Sequence, residues 1–264
     1  ILSCQAHPAA GEVTVDFDFW DKILLINSFM NIVITGCSKG IGLELVKIWS
    51  KNHMVYGISR NSEKLESLRA SLSNPANFKF LSKDIVNLNQ QDIKDFIKDS
   101  KVDVLVNNAG ILINKPFREI KYDDYRELMD VNFWGAFNLS QLLVKKLSNA
   151  KGQIINISSM GGVNYTSKFP GLSLYSSSKA ALSVFTECLS VELQSEQIKV
   201  NALALGAVET EMLNSAFPGY VAETKAHEMA SFIVEFANAS SNIINGQVIR
   251  VSKSNPWILI FSKI

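Results

Sequence analysis

The chain has 264 residues, 47% of them hydrophobic, and a formal net charge of +1. That length and apolar fraction suit one α/β domain with a sizeable core, and the near-neutral charge without a Lys/Arg stripe argues against a nucleic-acid partner. Cys4, Cys37 and Cys188 lie too far apart for a disulfide framework and fit a reducing compartment, and His7, His53 and His227 have no metal-ligand spacing, so no metal is expected.

Residues Ile1 to Phe29 mix Asp16, Asp18 and Asp21 with Phe17, Phe19 and Trp20 and show no long period. They read as a non-core N-terminal extension, with an added edge strand at Val13 to Phe19 as the competing reading. The first cation is Lys22, so the segment lacks the basic start of a secretory signal. No apolar run approaches the ~20 residues that cross a bilayer. The expectation is a cytoplasmic protein with no membrane partner, its catalytic domain running over residues 30–252, from Met30 as a natural start, with 253–264 as a tail.

Ile32, Val33 and Ile34 form a β-branched run that reads as a buried strand, and Gly36, Gly40 and Gly42 follow it. From Ile41 the spacing turns helical, with Ile41, Leu45, Ile48 and Trp49 on one face. Strand, glycine turn and helix in that order gather bare backbone N–H groups at a helix start, which suits a pyrophosphate. Further strands are expected at Met54 to Ile58, Phe78 to Leu81, Val102 to Val106, Gln153 to Ile157, Lys199 to Ala204 and Val248 to Val251. Helices are expected at Glu63 to Leu72 (capped by Ser62), Gln90 to Lys98, about Tyr122 to Leu147, Tyr175 to Gln194 and Ala222 to Phe236. This alternation predicts a Rossmann-type α/β fold: a doubly wound, seven-stranded parallel sheet with helices on both faces.

In such a sheet, ligands bind outside the carboxyl ends of the strands. Arg60 follows the second strand, and no acid lies between Glu44 and Glu63. Arg at this point suits the 2′-phosphate of NADP, where Asp or Glu would hold the free ribose of NAD, and Lys39 adds a second cation. Asp84 is read as an acceptor for the adenine amino group or as a helix cap. Asn107-Asn108-Ala109-Gly110 closes the fourth strand with small and amide side chains. Ser158 and Ser159 end the fifth, and Tyr175 and Lys179, four apart, share a face of the next helix.

Taken together, Thr35-Gly36-x-x-x-Gly40-x-Gly42, Asn107-Asn108-Ala109-Gly110, Asn132, Ser159 and Tyr175-x-x-x-Lys179 resemble the short-chain dehydrogenase/reductase family, over about Met30 to Val251. The resemblance implies a catalytic set. Tyr175 is the general acid. Lys179 holds the nicotinamide ribose and lowers the phenol's pKa. Ser159, with Ser158 as the competing choice, bonds the substrate carbonyl, and Asn132 holds a proton-relay water. The implied NADP(H) site runs through Gly36, Ser38, Lys39, Gly40, Ile41 and Gly42, then Arg60, Asp84 and Ile85. It continues through Asn108, Ala109 and Gly110 and closes on Tyr175, Lys179, Gly206, Val208 and Thr210.

Two stretches depart from the family pattern. The gap from Ser159 to Tyr175 is a few residues long, and Leu205-Gly206 stands where the family has Pro-Gly. A short lid at Met212 to Tyr220, with Phe217, Pro218 and Tyr220 as apolar contacts, predicts an open, partly aromatic site, and Trp134 reads as core. The implied activity is NADPH-dependent reduction of a small or aromatic aldehyde or ketone, by a homodimer or homotetramer. The alternative is a non-catalytic NADP(H) sensor on the same fold. An NAD-linked alcohol dehydrogenase is disfavoured by Arg60 and Lys39.

Overall fold

The structure, a computed structural model, describes residues 29–240 and 243–253. The expectations for residues 1–28, including the added strand, and for the apolar tail after 253 lie outside the described residues. β1 (Asn31–Thr35) carries the β-branched run, and Ile32, Val33 and Ile34 are fully buried. A strand buried on both faces belongs inside a parallel sheet, and β1 takes that place. The seven-stranded sheet runs β3 (Phe78–Ser82), β2 (Met54–Ser59), β1, β4 (Val104–Asn107), β5 (Gln153–Ser159), β6 (Lys199–Leu205), β9 (Val248–Val251), and all its pairings are parallel. The Rossmann-type prediction holds, and the strand order reverses between β1 and β4.

Alternation along each strand sends neighbouring side chains into different layers. Ile32 and Ile34 pack with Leu45 and Trp49 of α1 (Gly40–Trp49) and with Ile233 and Phe236 of α8 (Ala226–Ser240). Val33 faces the other way, toward Ile93 and Ile97 of α3 (Gln90–Ile97), Leu139 and Leu143 of α5 (Gly135–Ser148) and Leu189 of α6 (Ser173–Glu192). On that second face a buried polar ladder crosses the apolar layer. Asn107 Nδ2 donates to Ser140 Oγ (3.1 Å) and Asn156 Oδ1 (2.8 Å), and Asn156 Nδ2 donates to Thr186 Oγ1 (2.8 Å). One network thereby joins β4 and β5 to α5 and α6.

Several elements differ from the sequence expectation, each for a local reason. The helix α2 (Ser62–Ser71) is capped by Asn61, whose side chain accepts from the Lys64 amide at 2.7 Å, so Ser62 is its first residue rather than its cap. The long helical stretch is three pieces: α4 (Tyr122–Met129), a π-helical turn (Asp130–Trp134) and α5. β5 extends through both serines. The last helix starts at Ala226, because Thr224 and Lys225 form β8 (Thr224–Lys225) and pair with β7 (Val208–Glu209). Trp134 is 43% exposed and stacks on Phe137, so it is not core.

The ladder gives a direct test of this packing. Asn156→Ala strips buried Asn107 Nδ2 and Thr186 Oγ1 of a partner, and should lower the unfolding free energy by about 2–4 kcal/mol. Urea titration of the variant measures it, and an unchanged midpoint would mean that the ladder carries no such role.

Candidate active site

The reversal of strand order leaves a crevice at the carboxyl ends of β1 and β4. The turn after β1 needs glycine twice, since Gly36 (φ +66°) and Gly40 (φ +55°) occupy the left-handed region. A Cβ on Gly36 would stand 2.8 Å from Ala109 Cα, so this turn lies flush on the loop after β4. Thr35 Oγ1 accepts from the Asn108 and Ala109 amides (3.0 and 2.9 Å), and Asn108 Nδ2 donates to Thr35 O and Gly36 O (2.9 and 3.1 Å). α1 begins here with no side-chain cap on its N-terminus and no acid in its first turn. Its unsatisfied amides and positive dipole end are a ready anion site.

From this turn a cleft of about 610 Å³ runs along the strand ends. Gly36, Ser38, Lys39, Gly40 and Ile41 line it, with Arg60, Asp84, Ile85, Asn108, Ala109 and Gly110. Ser159, Tyr175, Lys179, Gly206, Val208 and Thr210 line it as well, so most of the expected residues meet in one space. Gly42 does not. A Cβ there would fall 2.4 Å from Gly36 O and 2.6 Å from Asn108 Nδ2, so its role is close packing behind the turn rather than ligand contact.

One end of the cleft is cationic. The exposed Arg60 guanidinium lies 3.9 Å from Asp84 Oδ2, and Lys39 Nζ lies 3.5 Å from Glu211 Oε2. Asp84 is a cap, accepting from the Val86 amide at 3.0 Å, with its other oxygen turned to Arg60. Thr210 caps the short lid helix α7 (Glu211–Ala216) by accepting from the Leu213 amide, and its methyl group meets the position of a Gly40 Cβ at 3.4 Å. The glycine turn and the lid are therefore in contact.

The other end holds the reactive groups. Adjacent serines on a strand point to opposite sides. Ser158 is buried, donating to Lys179 O at 3.0 Å and paired with Ser183 Oγ at 2.8 Å. Ser159 Oγ stands beside the Tyr175 phenol and accepts from the Gly161 amide at 3.2 Å. Burial pushes the Tyr175 phenol above its ordinary range, and the Ser159 hydroxyl offsets part of that. Burial draws the Lys179 ammonium from the usual 10.5 down to about 8. Lys179 Nζ donates to Ile157 O at 2.9 Å. The expectation that Lys179 lowers the phenol's pKa is thus not met in this arrangement: the ammonium is engaged by a carbonyl, and desolvation dominates.

Asn132 is buried in the π-helical turn and does not line the cleft. The widened turn aims its amide inward. Oδ1 accepts from the Ile111 amide (2.8 Å), while Nδ2 donates to Ile111 O (3.0 Å) and to Ser178 Oγ (3.0 Å). Both ends of the amide are engaged, so the side chain ties the β4 loop to α6. A Cβ on Gly110 would come 3.2 Å from Asn132 Oδ1 and 3.3 Å from Lys179 Nζ, so bare backbone lets these two groups converge. Gly162 acts alike, its absent Cβ lying 2.6 Å from the Lys179 carbonyl carbon.

Sequence reasoning missed part of the wall. Phe217 and Tyr220 line the cleft as expected, but Pro218 does not, and Leu112, Met160, Phe169 and Leu172 do. Phe169 and Leu172 sit in the lengthened loop, whose path no local pattern encodes. Ser178, between Tyr175 and Lys179 in sequence, was a findable partner for a buried amide on the facing helix.

A family model described as short chain dehydrogenase matches residues 30–220. The chain is 33% identical over 235 residues to the 3-oxoacyl-(acyl-carrier-protein) reductase FabG of Rickettsia felis, covering 83% of this chain and 94% of that one. It is 29% identical over 233 residues to the uncharacterized oxidoreductase YohF of Escherichia coli, covering 81% of this chain and 91% of that one. Among solved structures, "ElxO with NADP Bound" superposes with a TM-score of 0.75 at 29% identity, covering 85% of this chain and 97% of that one.

The glycine turn makes the sharpest structural prediction. Asn108→Ala removes the two side-chain hydrogen bonds to Thr35 O and Gly36 O, leaving the amide bonds to Thr35 Oγ1, and amide hydrogen exchange at 36–40 should rise about tenfold or more. Exchange unchanged at those amides would show that the turn holds its shape without Asn108.

Proposed function

The chain belongs to the short-chain dehydrogenase/reductase family, and from that premise we propose that it reduces a small or aromatic aldehyde or ketone to the alcohol. It is an oxidoreductase that uses NADP(H). One observation supports this reading most: a phenol beside a serine hydroxyl, with a buried ammonium one helical turn away, stands at one end of a cleft whose other end is a glycine turn flanked by cations.

The residues fit the cofactor. Gly36, Ser38, Gly40 and Ile41 leave room and amides for a pyrophosphate, since a Cβ on Gly36 would fill the cradle. Arg60 and Lys39 would meet the 2′-phosphate, each exchanging a carboxylate partner for it, which favours NADP over NAD. NADPH, when bound, supplies the hydride.

Each side chain then has one task. Tyr175 gives its phenolic proton to the carbonyl oxygen, and its raised pKa keeps that proton in place at neutral pH. Ser159, beside the phenol, turns its hydroxyl to the same oxygen and fixes the carbonyl's orientation. Lys179 would hold the nicotinamide ribose and, once its ammonium turns from the Ile157 carbonyl toward the site, stabilise the phenolate left behind. Asn132 positions Ile111 and α6 through its two-ended amide. We also infer a homodimer pairing through α5 and α6, next to which Trp134, Val184 and Val191 are exposed.

Absorbance-monitored NADPH oxidation against a carbonyl panel tests the reading. Tyr175→Phe should lower kcat by about 10²–10⁴-fold while NADPH still binds. NADPH binding by the wild-type chain with no carbonyl turned over would favour the sensor reading instead.

The pH profile follows from Lys179. Its proton leaves the folded chain at about 8, whereas Tyr175 stays protonated above its ordinary range. Reductive kcat/KM should therefore be level near neutrality and fall about tenfold per pH unit above that point. A profile flat through pH ~10 would remove the ammonium from the mechanism.

A further inference from the structure

We infer, resting on the reductase reading above, that the substrate carbonyl bears an uncharged, bulky apolar group, aromatic in the best case. This group lies between the lengthened loop after β5 and the lid. Beyond Ser159 and Tyr175 the cleft is walled by Leu112, Phe169, Leu172, Met212, Phe217 and Tyr220. Phe169 and Tyr220 remain 53% and 47% exposed, so two aromatic faces stand at the rim with apolar surface left to cover.

The walls are tied to one another by the chain itself. Asn114, in the loop after β4, donates from Nδ2 to Ala216 O at the end of the lid helix (2.9 Å). Its Oδ1 lies 2.0 Å from where a Cβ on Gly171 would stand, and Gly171 has φ +82°. The neighbouring Lys115 amide donates to Gly171 O at 3.0 Å. The Asn114 side chain and the Lys115 amide thus join the β4 loop to the lid and to the lengthened loop, which holds the walls of the subsite together.

The charge distribution selects against an anion. Lys168, on the lengthened loop, spends its ammonium on Gly161 O (2.8 Å), Val163 O (2.6 Å) and Thr166 Oγ1 (2.9 Å). Lys115 is paired with Asp124 at 2.7 Å, and Arg250 donates to Asn164 O at 2.7 Å. None of these three lines the cleft; among the described residues, the cations that do are Lys179, which has its own task, and Lys39, Arg60, Lys64 and Lys83 at the glycine-turn end. A carboxylate or phosphate entering this half would lose water and gain no cation, whereas a flat apolar group would lose nothing.

Two aldehydes of matched size test this: 4-methylbenzaldehyde and 4-carboxybenzaldehyde, each offered with NADPH to the full chain. The wild type should show kcat/KM at least about tenfold higher for the methyl compound, and Phe169→Lys should narrow or reverse that preference. Equal or preferred use of the carboxylate by the wild type would overturn the inference. Calorimetric titration of the same two compounds into the NADP-loaded protein separates the two claims. If neither is reduced, the reductase reading falls, while binding of the methyl compound at least about tenfold tighter upholds the subsite, and equal binding overturns it.

Discussion

A lysine ammonium buried at the carboxyl end of a parallel sheet is the constraint around which the rest of this molecule is arranged. Burying a cation is expensive unless hydrogen bonds replace its water. Lys179 has the Ile157 carbonyl to hold it, yet burial still draws its pKa down to about 8. The surroundings converge to keep it in place. Gly110 and Gly162 have no side chain, so the β4 loop and the turn after β5 can close on it. Asn132, on a π-helical turn, ties that loop to α6 one residue before the lysine, through Ser178. A group this costly to bury is kept where its charge has work to do.

The sheet explains why such a group can exist at all. Strands buried on both faces make a rigid floor, and the Asn107–Asn156–Thr186 ladder pins α5 and α6 to it. α6 can then present Tyr175 and Lys179 at a fixed height above β5, whose last residue is Ser159. At the far side of the reversal in strand order, Gly36 presses on Ala109 and opens the first amides of α1. A chemically reactive end and an anion-holding end are thus set by one scaffold, in contrast to the lid, which rests on two short strands and the Asn114 tie.

Much of this was legible in the residues because the signals are local. The β-branched run at Ile32 to Ile34, the glycine turn and the Tyr175/Lys179 spacing each encode their own geometry, and strand–helix alternation encodes the sheet. What escaped depended on contacts distant in sequence. The π-helical turn at Asn132 exists because its amide is drawn to Ile111 and Ser178, 21 and 46 residues away. The shift of the last helix follows from pairing of 224–225 with 208–209, which no periodicity announces. Phe169 enters the cleft through an irregular loop held by Lys168 and Gly171, and Gly42 looks like a ligand contact in sequence but is a packing position in space. Capping also misled by one residue, since Asn61 and Ser62 are both good caps and only the backbone decides between them.

The claim on which all of this rests is that Tyr175, Ser159 and Lys179 surround the reacting end of a nicotinamide dinucleotide laid along the strand ends. A crystal structure of the chain with NADPH tests that most directly. The account predicts the pyrophosphate over the turn from Gly36 to Ile41, the 2′-phosphate between Arg60 and Lys39, and the nicotinamide beside the Tyr175 hydroxyl, with Lys179 Nζ bonded to its ribose. A dinucleotide bound with its nicotinamide out of reach of Tyr175, or its phosphates away from the glycine turn, would contradict it.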